Sequence, residues 1–220
     1  MPTKTRLPRG AKDRAKIIDE RLAAERPTPR VELDFETAWQ LLVATILAAQ
    51  NTDKNINTIT PELFARWPHP RDLAAADLAE VEEVIKRSGF FRQKAKSIVG
   101  AAQHLEQHHQ GEVPAELELL VKVPGVGRKT ANVVIGSAYR IATGMVVDTH
   151  VTRLADRLGL SKGADPEQIE DDLVKLFPKA SWIDASHRLI LHGRYICQAK
   201  KPDCTVCVLR DICPSADTFG

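Results

Sequence analysis

Four cysteines fall within 17 residues, spaced Cys197-x6-Cys204-x2-Cys207-x5-Cys213. They are the chain's only thiols, and the basic segment Met1 to Lys16 has no apolar core of the kind that directs secretion. Crowded thiols in a cytosolic chain point to metal rather than to disulfides. Four thiolates suit either a tetrahedral zinc or a four-iron, four-sulfur cluster. Zinc sites usually show two short pairs, and here only Cys204 and Cys207 form one. The spacing therefore favours iron–sulfur and leaves zinc open. Lys200 and Lys201 lie between the first two cysteines, where a metal-held loop would present them to a phosphate.

A second constellation is Val123-Pro124-Gly125-Val126-Gly127-Arg128-Lys129. A helix over Leu117–Val123 and another from Arg128 to about Tyr139 would flank a turn at Pro124–Gly127. Two glycines two apart reach backbone angles closed to other residues. Val126 between them would pack inward and lock the turn. N–H groups at the start of the second helix, with its positive dipole end, would favour a phosphate oxygen. Such a contact anchors without reading bases. The plain alternative is a tight helix–helix turn.

Lys129 falls in the first turn of that second helix. The helix dipole and neighbouring Arg128 favour its neutral amine, and partial burial would favour it further. A neutral amine can form a Schiff base with an aldehydic carbon; the plain alternative is an exposed lysine touching phosphate. Asp148, in Val146-Val147-Asp148-Thr149-His150, stands where aspartates commonly cap helices. It could also stabilise a developing cation or move a proton.

These residues need a scaffold, and its periodicity is helical with no convincing alternating strand. Phe35, Trp39, Leu42, Val43 and Ile46 mark one helix face. Asp77 and Glu80 form a capping-box pattern ahead of Val81. Ile98, Ala101, Ala102 and Leu105 share a face of a helix ending near Gly111. Pro114 reads as the first turn of the helix carrying Leu117 and Leu120. Further helices follow Asp148, with Gly159 as a stop, run from Pro166 to Phe177, and span Ala185–Gly193. About ten short helices result. Residues 1 to about 15 read as a loose basic arm. No run is long and apolar enough to span a bilayer, and composition marks no domain boundary.

The 31 basic and 29 acidic side chains leave a formal charge of +2. Charge is nevertheless segregated. Lys86–Lys96 carries +5, Val121–Arg157 +4 and Ser186–Lys201 +4, so the remainder carries −11. Solvated helix faces vary in charge, but three basic stretches could also converge on one polyanion-binding face.

The hairpin with Lys129-Thr130-Ala131-Asn132-Val133-Val134, the Val147-Asp148-Thr149-His150 segment, Leu189-Ile190-Leu191-His192-Gly193-Arg194-Tyr195 and the four cysteines together resemble the bacterial endonuclease III family of helix-hairpin-helix DNA glycosylases. The likeness reaches back to Leu47-Ala48-Ala49-Gln50-Asn51-Thr52-Asp53 and covers about residues 30 to 214. It implies an all-α fold of two helical domains with a DNA-binding cleft between them. Residues 31–141 would form a six-helix barrel with the helix-hairpin-helix at about 116–139. Residues 1–30 and 142–220 would form the domain holding one [4Fe-4S] cluster on Cys197, Cys204, Cys207 and Cys213, structural for DNA binding.

The resemblance further implies a bifunctional glycosylase and abasic-site lyase of base excision repair, acting on oxidised pyrimidines in duplex DNA. Lys129 would attack the sugar C1′, expel the base and form a Schiff base; β-elimination would then break the strand. Asp148 would assist the attack and stabilise the positive sugar. Gln50 would fill the gap left by the flipped nucleotide. Phe90 or Phe91 would be the wedge. DNA contacts would come from Gly125, Val126, Gly127, Arg128, Thr149, His150, Lys200 and Lys201. The expected enzyme is a cytoplasmic, nucleoid-associated monomer with no membrane association. Two rivals are an adenine-mismatch glycosylase and a non-catalytic helix-hairpin-helix DNA-binding protein. Lys129 and the end of the chain seven residues after Cys213 argue against the first, and Lys129 with Asp148 in one chain argues against the second.

Overall fold

The computed structural model describes residues 10–216 and 218. Their regular structure is all helical, with no strand among them. The chain divides into two units, Val31–Thr143 and the discontinuous pair Met1–Arg30 with Gly144–Gly220. The discontinuous unit opens with α1 (Ala11–Glu25). Residues 11–15 thus belong to a helix rather than to a basic arm, because Ala15 and Ile18 bury an apolar stripe. Residues 1–9 of the expected arm lie outside the described residues.

The continuous unit holds α2 (Ala38–Leu47), α3 (Asp53–Ile56), α4 (Thr60–Arg66), α5 (Pro70–Ala74), α6 (Leu78–Val84), α7 (Phe91–His109), α8 (Leu117–Leu120) and α9 (Arg128–Val134). Two of these, α3 and α8, are single turns of four residues. The Thr37 side chain accepts from Gln40 N and starts α2, so Phe35 packs on the core from outside the helix. Asp77 caps α6 by accepting from Ala79 N and Glu80 N. Only this half of the expected capping box forms. The 19-residue α7 is the longest helix among the described residues and turns Ile98, Ala101, Ala102 and Leu105 into a core that includes Leu41, Leu42 and Val134. Pro114 precedes α8 instead of starting it, since Glu116 is the N-cap. Beyond Val134 the helix widens into a π-helical turn, Ile135–Tyr139, so the regular part of the second hairpin helix is shorter than expected. Tyr139 Oη donates to Val113 O at 2.6 Å and closes that end.

The discontinuous unit adds α10 (Thr149–Arg157), α11 (Pro166–Leu176) and α12 (Trp182–Tyr195) to α1, making twelve α-helices among the described residues. Its separate core includes Ile18, Leu22, Val151, Leu154, Leu173 and Leu189. Arg188 ties α12 to the chain after α1, donating to Arg26 O at 3.0 Å and standing 3.4 Å from Asp19 Oδ1. No described helix is long and apolar enough to cross a membrane.

Candidate nucleic-acid and metal sites

The hairpin lies between α8 and α9. Gly125 takes φ +79°, and a Cβ there would meet Ser97 Cβ at 2.7 Å, so conformation and packing both demand glycine. Gly127 differs from expectation. Its φ of −92° and ψ of 174° are open to any residue, and a Cβ there would meet nothing within 4 Å. It serves as the N-cap of α9, with no side chain capping the helix start. First-turn N–H groups without a side-chain acceptor are suited to an anion. Val126 is buried as expected. Arg128 and Lys129 are both exposed, so the partial burial expected of Lys129 is absent.

Two loops of the same unit carry Gln50 and Phe90. Both residues are left-handed, with φ of +54° and +47°, an uncommon state for non-glycine residues. Gln50 is exposed, and Phe90 is 72% exposed although it is large and apolar. Phe91 instead packs against the core. The two loops are stitched together. Asn51 Nδ2 donates to Ser88 O at 2.7 Å, and Asn55 Nδ2 donates to Arg87 O at 3.0 Å. Lys94 is buried and donates to Leu47 O at 2.8 Å and Ser88 O at 2.7 Å. It is therefore no part of a basic surface, and its burial holds it below the ordinary lysine range.

In the discontinuous unit Asp148 is the N-cap of α10, as its sequence position implies. Its Oδ1 accepts from His150 N at 2.8 Å and from Val151 N at 2.9 Å. Both bonds fall on one oxygen, which leaves Oδ2 without a hydrogen bond among the described residues. Thr149 is exposed and His150 half-buried. A Cβ at Gly193 would meet His150 Cβ at 2.8 Å, so that glycine lets α12 approach the start of α10.

Two arginines bolt α10 to the cysteine segment. Arg153 donates to Gly193 O at 2.7 Å and Cys197 O at 3.0 Å. Arg157 donates to Gln198 O and Ala199 O at 2.8 Å each and lies 3.3 Å from Cys197 Sγ. Lys200 and Lys201 follow on the exposed loop. Cys197, Cys204, Cys207 and Cys213 all line one cavity with Leu154, Arg157 and His192. His192 Nε2 stands 3.4 Å from Cys207 Sγ. Burial, then the neighbouring thiols, push Cys207 up to about 11, and burial likewise raises Cys213. Among the described residues no three His, Cys, Asp or Glu side chains form a cage for a single ion.

Sequence reasoning missed Lys94, Asn51, Arg153 and Arg157. Lys94 carried a signal, since it precedes Ile98, Ala102 and Leu105 on the core-facing stripe of α7. The basic stretches overcounted the available surface charge, because Lys94, Arg157 and Arg188 are all buried.

Residues 43–179 match the model of the HhH-GPD superfamily of base excision DNA repair proteins. The chain is 51% identical over 190 residues to endonuclease III of Synechocystis sp., covering 86% of this chain and 87% of that protein. It is 39% identical to endonuclease III of Escherichia coli, covering 88% and 91%. A trapped endonuclease III–DNA covalent intermediate superposes with a TM-score of 0.90 at 37% identity, covering 94% of this chain and 97% of that one.

Proposed function

The chain belongs to the HhH-GPD superfamily of base excision DNA repair proteins, and from that premise we propose how its own residues carry out the work of a DNA glycosylase and abasic-site lyase. The substrate is duplex DNA holding an oxidised pyrimidine or an abasic site. The observation that carries the assignment is Lys129, exposed in the first turn of α9 directly after a helix start that no side chain caps. A phosphate held on that helix start brings the neighbouring sugar to the lysine.

Lys129 Nζ attacks C1′ of the damaged nucleotide. The C1′–N bond breaks and the base leaves with the bonding electrons. The ring-opened sugar and Lys129 form a Schiff base, and loss of a C2′ proton expels the 3′ phosphate by β-elimination. Asp148 offers Oδ2 to the positive charge that develops on the sugar while Oδ1 stays on the α10 cap. Gln50 and Phe90 enter the stack, Gln50 at the vacated position and Phe90 as the wedge. Phe90 is assigned over Phe91 because Phe91 is already committed to the core. Gly125, Val126, Gly127 and Arg128 anchor one stretch of backbone. Thr149, His150, Lys200 and Lys201 anchor another.

The four thiols fit one [4Fe-4S] cluster. All four line one cavity, and a donor set made only of thiolates suits such a cluster. Burial raises Cys207 and Cys213, so a cluster that takes them as thiolates would displace their protons on binding. When bound, the cluster supplies rigidity to the loop bearing Lys200 and Lys201, not bond-breaking chemistry. The protein acts as a monomer in the cytoplasm, at the nucleoid through its DNA.

Borohydride trapping on duplex DNA containing thymine glycol tests the assignment. A covalent adduct is expected with the unmodified enzyme and none with Lys129→Ala. An adduct that survives in Lys129→Ala, or none in the unmodified enzyme, overturns it.

A further inference from the structure

Lys94 is a buried cation with no carboxylate within ion-pair distance among the described residues, and the reaction described above does not use it. A buried charge is expensive unless it is held by strong hydrogen bonds. Here the ammonium is held by two main-chain carbonyls, and both end helices. Leu47 is the last residue of α2, and Ser88 is the last residue of a 3-10 turn, Lys86–Ser88. The C-terminus of an α-helix carries partial negative charge, so the Leu47 carbonyl is a better partner for a cation than an isolated one.

The two carbonyls stand just before the two exposed left-handed residues. Gln50 is three residues past Leu47, and Phe90 is two past Ser88. Asn51, adjacent to Gln50, donates to the same Ser88 oxygen. One buried ammonium and one amide therefore fix both loops to a common point. A left-handed Gln or Phe persists only where its surroundings over-determine it.

We propose that Lys94 is a positioning residue for base extrusion: it clamps the Leu47–Asn51 and Ser88–Phe90 loops so that Gln50 and Phe90 meet the DNA stack already set. This rests on the reading of Gln50 and Phe90 as residues that enter the stack. The clamp holds two groups that must act together on one nucleotide, and prepaid order of that kind appears as rate. Its benefit belongs to the step that unstacks the base. An abasic site has no base to unstack, so the clamp contributes less there.

The experiment compares two substrates with the full-length holoprotein: a thymine glycol duplex, read as single-turnover base release, and a preformed abasic duplex, read as borohydride trapping. Lys94→Met keeps the length and apolar stem. It is expected to bind undamaged duplex as the unmodified enzyme does and to trap the abasic site at near the unmodified rate. Base release falls on the order of tenfold to a hundredfold. Lys94→Arg, which keeps a charged donor, recovers most of that loss. Unchanged base release in folded Lys94→Met overturns the proposal. So does equal loss on both substrates, which would mean general damage to the fold. If Lys94→Met does not fold, Asn51→Ala removes the amide donor to Ser88 O. Selective loss of base release then supports the clamp, and unchanged or uniform rates overturn it. An unmodified enzyme that forms no adduct at all would overturn the lyase reading and the clamp with it. A normal adduct with Lys94→Met matching on both substrates overturns the clamp alone.

Discussion

A Cβ on Gly125 would lie 2.7 Å from Ser97 Cβ, while one on Gly127 would touch nothing. The two hairpin glycines are therefore kept for different reasons. Gly125→Ala meets both the Ser97 contact and a φ of +79°, at a cost of about 1–3 kcal/mol. Gly127→Leu should melt close to the unmodified protein but weaken binding to damaged and undamaged duplexes alike. Thermal melts beside binding curves at two salt concentrations separate the two effects. A change in lesion preference alone for Gly127→Leu would contradict a backbone-phosphate contact.

Asp148 serves as a cap and as a charge, and substitution can divide these roles. Asparagine caps as well as aspartate, so Asp148→Asn should keep its melting temperature and lose base release. Asp148→Ala should lose base release and about 1 kcal/mol of stability besides. Equal melting temperatures for the two variants would show that the bonds to His150 N and Val151 N carry no net stability.

Phe90 adopts a left-handed backbone without burying its ring. Phe90→Gly should relieve the backbone and stabilise the protein by roughly 1 kcal/mol. Base release from a thymine glycol duplex should drop in the same variant. Denaturant melts and single-turnover kinetics on one preparation check both.

Arg157 reaches two carbonyls and the Cys197 sulfur from α10. Arg157→Met leaves those carbonyls without their donor, at a cost of about 1–3 kcal/mol each if they stay dry. The cysteine loop should loosen, and the iron content per protein after gel filtration should fall. Full iron retention would show that the loop is held by its thiols alone.

The clamp also has a pH signature. Burial lowers Lys94 in the folded chain relative to the unfolded one. As pH rises toward the ordinary lysine value of about 10.4, the unfolded chain holds its proton longer than the folded chain does. Stability relative to Lys94→Met should therefore increase with pH in that window. Urea melts of both proteins across the alkaline range measure the difference, and parallel curves would contradict the shift.

What the sequence disclosed was local. The Asp148 cap depends on neighbours within one turn, Val126 is marked by the glycines on either side of it, and the four thiols fall within 17 residues. The Lys94 clamp joins residues 47 apart, and no local pattern reports such a bond. Net charge by segment misled for a related reason. Arg157 and Arg188 read as surface cations until the carbonyls that hold them are seen. Pro114 shows the limit of positional preference, since a proline suited to a helix start sits in the connection before it.

The discontinuous unit has a consequence for biosynthesis. As the ribosome releases the chain, α1 emerges first, yet its partners α11 and α12 follow after more than a hundred further residues. The Val31–Thr143 unit is complete well before then and can close around its own core. Until α11 and α12 arrive, Ile18 and Leu22 lack these native partners, so the nascent amino-terminal segment waits with its apolar stripe uncovered. Any metal held by the four cysteines could be enclosed only later still, because Cys213 leaves the ribosome last of the four. The protein matures from its middle outward, and the segment bearing its four cysteines is the final part to be made.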